Sequence, residues 1–177
     1  MSDQTDYDVL VNTLSAHFGA RLKLVVLFGS RSRAEDHAES DHDIFVVIED
    51  LPHDPLARQR TVMAPLLPVL LRLPERLSLI AKMPQELQGD PTSLLVDVCA
   101  DGISLYGEAY FEDLRSKVMP ALQSAGLVRR RLAGTWMWMF PALPAKECPG
   151  ICSHRQLPRM PFAQRDSWFR WRVCWRK

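Results

Sequence analysis

Two apolar runs with a polar insert between them organise the first third of this chain. Residues 22–28 read LKLVVLF and residues 43–49 read DIFVVIE. Short apolar runs bounded by turn residues predict strands, the first buried on both faces. Upstream, Val9, Leu10, Leu14 and Phe18 recur near the helical period and predict an amphipathic helix over 7–18. Downstream, 54–71 is apolar and reads as largely helical, kinked by its prolines. A third strand is predicted over 77–82, a helix over 91–100 and a short extended piece over 103–106. A last helix over 110–124 ends near Gly126, a residue suited to closing a helix.

At Gly126 the composition breaks. All five tryptophans lie beyond it, with five prolines. Residues 126–177 hold 11 of the 22 Lys and Arg but only two of the 21 Asp and Glu, a net +9 against −8 for residues 1–125. Beyond the alternation Trp136-Met137-Trp138-Met139 the segment has almost no periodicity, which argues against a second packed domain. The expected organisation is a globular domain over 1–125 and a basic, aromatic extension over 126–177. Three readings compete for the extension: sequence without element logic, an arm docked on the acidic core of this chain or of a partner, and an arm contacting nucleic acid, the least favoured.

The polar insert carries the chemistry. Gly29-Ser30 closes the first strand, and Asp41-His42-Asp43 opens the second after a spacer of Arg31 through Ser40. On a strand, Asp41 and Asp43 share one face and His42 faces the other. Two carboxylates that close repel unless neutralised, and Mg²⁺ is commonly held by one or two carboxylates with substrate phosphates and water. Gly29 permits a left-handed turn and close approach of a phosphate to the backbone. Ser30 is placed to cap a following helix, whose first N–H groups favour an anion. Arg31 and Arg33 add cationic forks suited to phosphate.

The segment LFGSRSRAEDHAESDHDIFVVIE resembles the signature of the DNA polymerase β-like nucleotidyltransferases, in particular the minimal type. A weaker resemblance extends over about the first 125 residues. It implies an α/β (α+β) fold, with a mixed central sheet flanked by helices. It implies transfer of a nucleoside monophosphate, AMP first among them, from ATP or another NTP, with Mg²⁺ or Mn²⁺ as cofactor. Asp41 and Asp43 map onto two of the family's three metal-binding, catalytic carboxylates, and Gly29, Ser30, Arg31 and Arg33 onto its nucleotide-binding turn. The third carboxylate falls on a later strand, where this chain carries Ser78; Glu75 lies three residues upstream. Small members of the family act on a partner protein, as antitoxins that nucleotidylate a HEPN-type toxin. The alternative expectation is a catalytically weakened, antitoxin-like protein that binds nucleotide and works through partner contact.

Other chemistry is weaker. There is no P-loop, nucleophile elbow or H-E-x-x-H. Cys148, Cys152, His154 and Cys174 have zinc-ligand types without a standard spacing. Asp97 and Asp101 share a helix face and read as a solvated pair. No apolar run has the length of a membrane span, the N-terminus lacks a signal-peptide pattern, and the scattered cysteines point to a reducing cytoplasm.

Overall fold

The structure, a computed structural model, describes residues 3–33, 40–132 and 135–139, without the side chains of residues 3–6 and 135. Helix α1 (Asp3–Phe18) leads into strand β1 (Leu22–Phe28); β2 (His42–Ile48) follows the polar insert. Helix α2 (Pro55–Met63) and a 3₁₀ segment, Ala64–Arg72, cross to β3 (Leu77–Lys82). Helix α3 (Ser93–Asp101), β4 (Ile103–Tyr106) and α4 (Glu108–Ser124) complete the main body, and β5 (Val128–Leu132) with β6 (Thr135–Met139) form a hairpin.

Four strands make one mixed sheet in the order β3-β2-β1-β4. β1 runs antiparallel to β2 and β4, while β2 and β3 are parallel and joined by the α2 crossover. Helices cover both faces. On one, Leu10 and Leu14 of α1 with Val62 and Leu66 pack on Val25, Ile44 and Val46. On the other, Leu95, Val96, Phe111 and Val118 of α3 and α4 pack on Leu24, Val26, Phe45 and Val47. Strict alternation along β1 and β2 thus feeds two cores, which is why both strands are apolar almost throughout. The protein is an α+β fold with a mixed sheet flanked by helices.

Local chemistry explains the boundaries. Asp54 accepts a hydrogen bond from the Ala57 N–H at 2.7 Å, with Pro55 in the first helical position, so α2 starts there. Pro65 and Pro68 lack the N–H an α-helix needs, and the expected kinked helix gives way to 3₁₀ winding after Met63. Thr92 caps α3 at the Leu95 N–H. Gly126 takes φ +67° at the end of α4, and the Gly126 and Leu127 N–H groups return to Gln123 and Leu122.

Within the basic extension, Val128–Leu132 and Thr135–Met139 pair as an antiparallel ladder rather than irregular chain. Arg129 and Arg131 of β5 lie against Trp136 and Trp138 of β6 as cation–π pairs, with guanidinium-to-ring distances of 5.0–5.9 Å. Trp138 Nε1 donates to Asp97 Oδ1 at 2.9 Å, and Arg129 Nη1 to Asp101 Oδ1 and Oδ2 at 2.5 and 2.6 Å. Docking on the acidic helix is therefore what this part of the extension does. The compact unit spans Met1–Phe140, and residues 140–177, with the Cys148–Cys174 group, lie outside the described residues.

Candidate functional site

The candidate residues gather at one end of the sheet. β1 leaves the sheet at Phe28, whose antiparallel partner is Asp43. The next residue, Gly29, therefore turns directly over the Asp43 side chain. It does so with φ +85°, and a Cβ there would stand 2.5 Å from Asp43 Oδ2. Only glycine allows both the left-handed turn and the carboxylate against the backbone. One 3₁₀ turn, Arg31–Arg33, follows; Ser32 Oγ donates to the Gly29 carbonyl at 2.9 Å and the Arg33 N–H to the Ser30 carbonyl at 3.2 Å. Ser30 is half-buried at the head of that turn, and residues 34–39 lie outside the described residues.

The two arginines have different jobs. Arg31 donates from Nε and Nη2 to the Ser40 carbonyl at 3.1 and 3.0 Å, tying together the two ends of the insert. Arg33 Nη1 reaches Asp101 Oδ2 at 3.1 Å, at the end of α3.

Asp41 is exposed just before β2; Asp43 is half-buried within it. His42 points to the opposite face, buried, with the Tyr7 hydroxyl 2.6 Å from its Nδ1, while its backbone N–H donates to the Arg76 carbonyl at 2.7 Å. It is a packing residue of the α1 core, as strand alternation predicts. In the parallel pair β2–β3, Asp43 lies beside Ser78. The Ser78 side chain is near enough to the Asp43 carboxylate to lower its proton affinity. Glu75 is exposed in the turn before β3.

Burial pushes the Asp43 carboxyl above its ordinary range, and the charge of Asp41 adds to the push. Ser78, Arg33 and His42 oppose the rise without cancelling it.

Sequence patterns alone do not bring Asp101, Arg129 and Trp138 to this end of the molecule. The available signals were the i, i+4 spacing of Asp97 and Asp101 and the opposite charges of the two halves of the chain.

No protein-family model and no curated protein matches the chain. Solved structures do match it. A chain of a toxin–antitoxin structure with AMP-PNP aligns over 66% of this chain and 87% of its own, at 26% identity and a TM-score of 0.48. One from a variant of the toxin–antitoxin pair MntA–HpeT aligns over 64% and 85%, at 25% identity and a TM-score of 0.45. One from the complex of a tri-AMPylated Shewanella oneidensis HEPN toxin with an MNT antitoxin aligns over 70% and 88%, at 23% identity and a TM-score of 0.46. At this level they stand as likenesses only.

The donor set can be tested against a divalent cation on the site's own geometry. The Asp43 carboxylate, with a raised proton affinity to which the charge of Asp41 adds, lies against the Gly29 backbone, where there is no Cβ. That suits a hard cation completing its shell with phosphate oxygens and water. Among the described residues, no group of three or more His, Cys, Asp or Glu stands ready to hold a metal unaided. Ser78 offers a neutral hydroxyl where a third acid would complete such a group. Nor is any described helix long and apolar enough to cross a membrane.

Proposed function

We propose that this protein transfers a nucleoside monophosphate, AMP in the first instance, from an NTP to a hydroxyl group of a partner protein. The observation that carries the reading is the Gly29–Asp43 contact. The left-handed Gly29 turn lies directly against a carboxylate partly withdrawn from water, in the motif that resembles the minimal nucleotidyltransferases. The backbone of Gly29 and Ser30 receives the triphosphate, and Arg33 supplies positive charge beside Asp43. Asp41 and Asp43 would hold Mg²⁺ or Mn²⁺, which when bound neutralises charge developing on the transferred phosphoryl group and the leaving pyrophosphate. In the transfer, the acceptor oxygen bonds to the α-phosphorus, the bond from that phosphorus to the β-phosphate's bridging oxygen breaks, and pyrophosphate leaves. The acceptor must also shed a proton. Ser78, beside Asp43 in the ladder, offers no carboxylate, so Asp41 and Asp43 are the acids of the motif to receive it.

The acceptor class follows from the family resemblance: a HEPN-type toxin or a similar partner protein. The test is incubation with α-labelled ATP, Mg²⁺ and the product of the neighbouring gene. Label appears on the partner, requires the divalent cation, and is absent with Asp41→Ala plus Asp43→Ala. Calorimetry accompanies it; equal ATP affinity in EDTA and in Mg²⁺ would show the cation assignment to be wrong.

One observation favours a second reading. Ser78, paired with Asp43 in the parallel ladder, occupies the position where the family carries its third acid, and a protein limited by that loss binds nucleotide and partner without turnover. In that case ATP and partner bind, and no label moves.

A further inference from the structure

Asp101 carries two guanidinium groups from distant parts of the chain. Arg33 Nη1 stands 3.1 Å from Oδ2, and Arg129 Nη1 stands 2.5 and 2.6 Å from Oδ1 and Oδ2. All three side chains are largely withdrawn from solvent, at 23%, 15% and 16% exposure for Arg33, Asp101 and Arg129. Arg129 lies against both Trp136 and Trp138, and Trp138 is anchored to Asp97 of the same helix. Arg33, at the other end of this chain of contacts, is close enough to Asp43 to lower its proton affinity.

An arginine side chain is long, and its guanidinium is placed only by what grips it. Asp101 grips Arg33 from α3, outside the polar insert. Asp101 is in turn fixed by the end of α3 and by the shorter contacts to Arg129. We infer that Asp101 is a positioning residue for Arg33 and that Arg129 locks it, making the β5–β6 hairpin a working part of the nucleotide site. Arg129 also stands 3.9 Å from Asp97, so both acids of α3 are engaged by the hairpin. The positioning role rests on the reading of Arg33 as a phosphate contact under the proposed function, and it adds that residues 128–139 govern that contact from outside.

The test is a double-mutant cycle on the full chain, reading the Kd for Mg-ATP by calorimetry alongside thermal melting. Arg33→Ala, Asp101→Asn and Arg129→Ala each weaken binding by about tenfold. In the Arg33→Ala background, Asp101→Asn and Arg129→Ala change Kd by less than about twofold, because the residue they position is gone. Asp101→Glu recovers part of the affinity. Should Arg129→Ala fail to fold, Trp138→Phe loosens the hairpin from Asp97 with all charges kept, and its loss of ATP affinity likewise vanishes in the Arg33→Ala background. Additive losses in the two backgrounds overturn the inference, as does a fall in melting temperature with Kd unchanged. If Arg33→Ala alone leaves Kd at the wild-type value, the positioning role is wrong; the cation dependence of ATP binding through Asp41 and Asp43 then still judges the nucleotidyl-transfer reading separately.

Discussion

Asp43 is held in a state that folding alone does not favour. Its folded-state proton affinity is raised by burial and by Asp41, so the unfolded chain releases that proton first as pH rises. The folded protein therefore loses stability from the ordinary carboxylate range upward, and carries the full cost at neutral pH. Asp43→Asn keeps an oxygen for the Ser78 hydroxyl and removes the charge. In EDTA at pH 7 it should stabilise the protein by about 0.5–1 kcal/mol, a modest figure because the site is partly screened by water. The gain should disappear on acidification below the ordinary Asp range; a melting series that shows no gain at pH 7 contradicts this account. Ser78 is the complementary residue. Ser78→Asp places a carboxylate directly beside Asp43 in the sheet, and if the missing acid limits the chemistry, label transfer should rise at least about tenfold, roughly 1.4 kcal/mol of barrier. The same change should cost stability in EDTA, because it adds a third negative charge to the cluster. If Glu75, exposed in the preceding turn, fills the role instead, Ser78→Asp should change transfer little and Glu75→Gln should abolish it.

Elements were legible wherever burial alone decides conformation. The runs at 22–28 and 77–82 are strands with those bounds, and 103–106 is the short edge strand β4. Helical period placed α1, α3 and α4 to within a few residues, the usual uncertainty at frayed ends. Two stretches read less well, for different physical reasons. In 64–72 the apolar spacing is helical, but two prolines remove donors and the segment winds as 3₁₀. In β5 the sequence VRRRL lacks the apolar alternation of a half-buried strand; what its inner face meets is Asp97 and Asp101, not a hydrophobic layer. A strand packed through ion pairs and cation–π contacts leaves no hydrophobic signature. For the same reason the two α3 acids read as a solvated pair. At the site, strand alternation placed His42 away from the acids, and the register placed Ser78 beside Asp43. The engagement of Arg31 with Ser40 and of Arg33 with Asp101 was not legible, since an arginine three residues from a Gly-Ser looks the same whether it meets phosphate, backbone or carboxylate.

At the scale of the whole molecule, opposite charge is divided along the chain and partly rejoined in space. Residues 1–125 carry a net −8 and the remainder +9, and Arg129 of the hairpin joins the two at the acids of α3. Three of the cationic residues, Arg129, Arg130 and Arg131, fall in the hairpin itself. Both hydrophobic cores, the candidate site and the docked hairpin lie within Met1–Phe140. A chain ending at residue 140 should therefore fold, melt within a few degrees of the full protein and bind Mg-ATP with similar affinity. One ending at residue 126 should differ sharply. It loses the contacts of Leu127 and Trp138 with the α3–α4 core and leaves the paired acids of α3 with fewer cations. Its expected cost is about 1–2 kcal/mol, a fall of several degrees at this chain length, together with weaker ATP binding through the loosened Arg33. Scanning calorimetry and an ATP titration on the two truncations separate the alternatives. Equal behaviour of the two would mean that the hairpin contributes to neither fold nor site, and insolubility of the longer one would mean that residues beyond 140 complete the core.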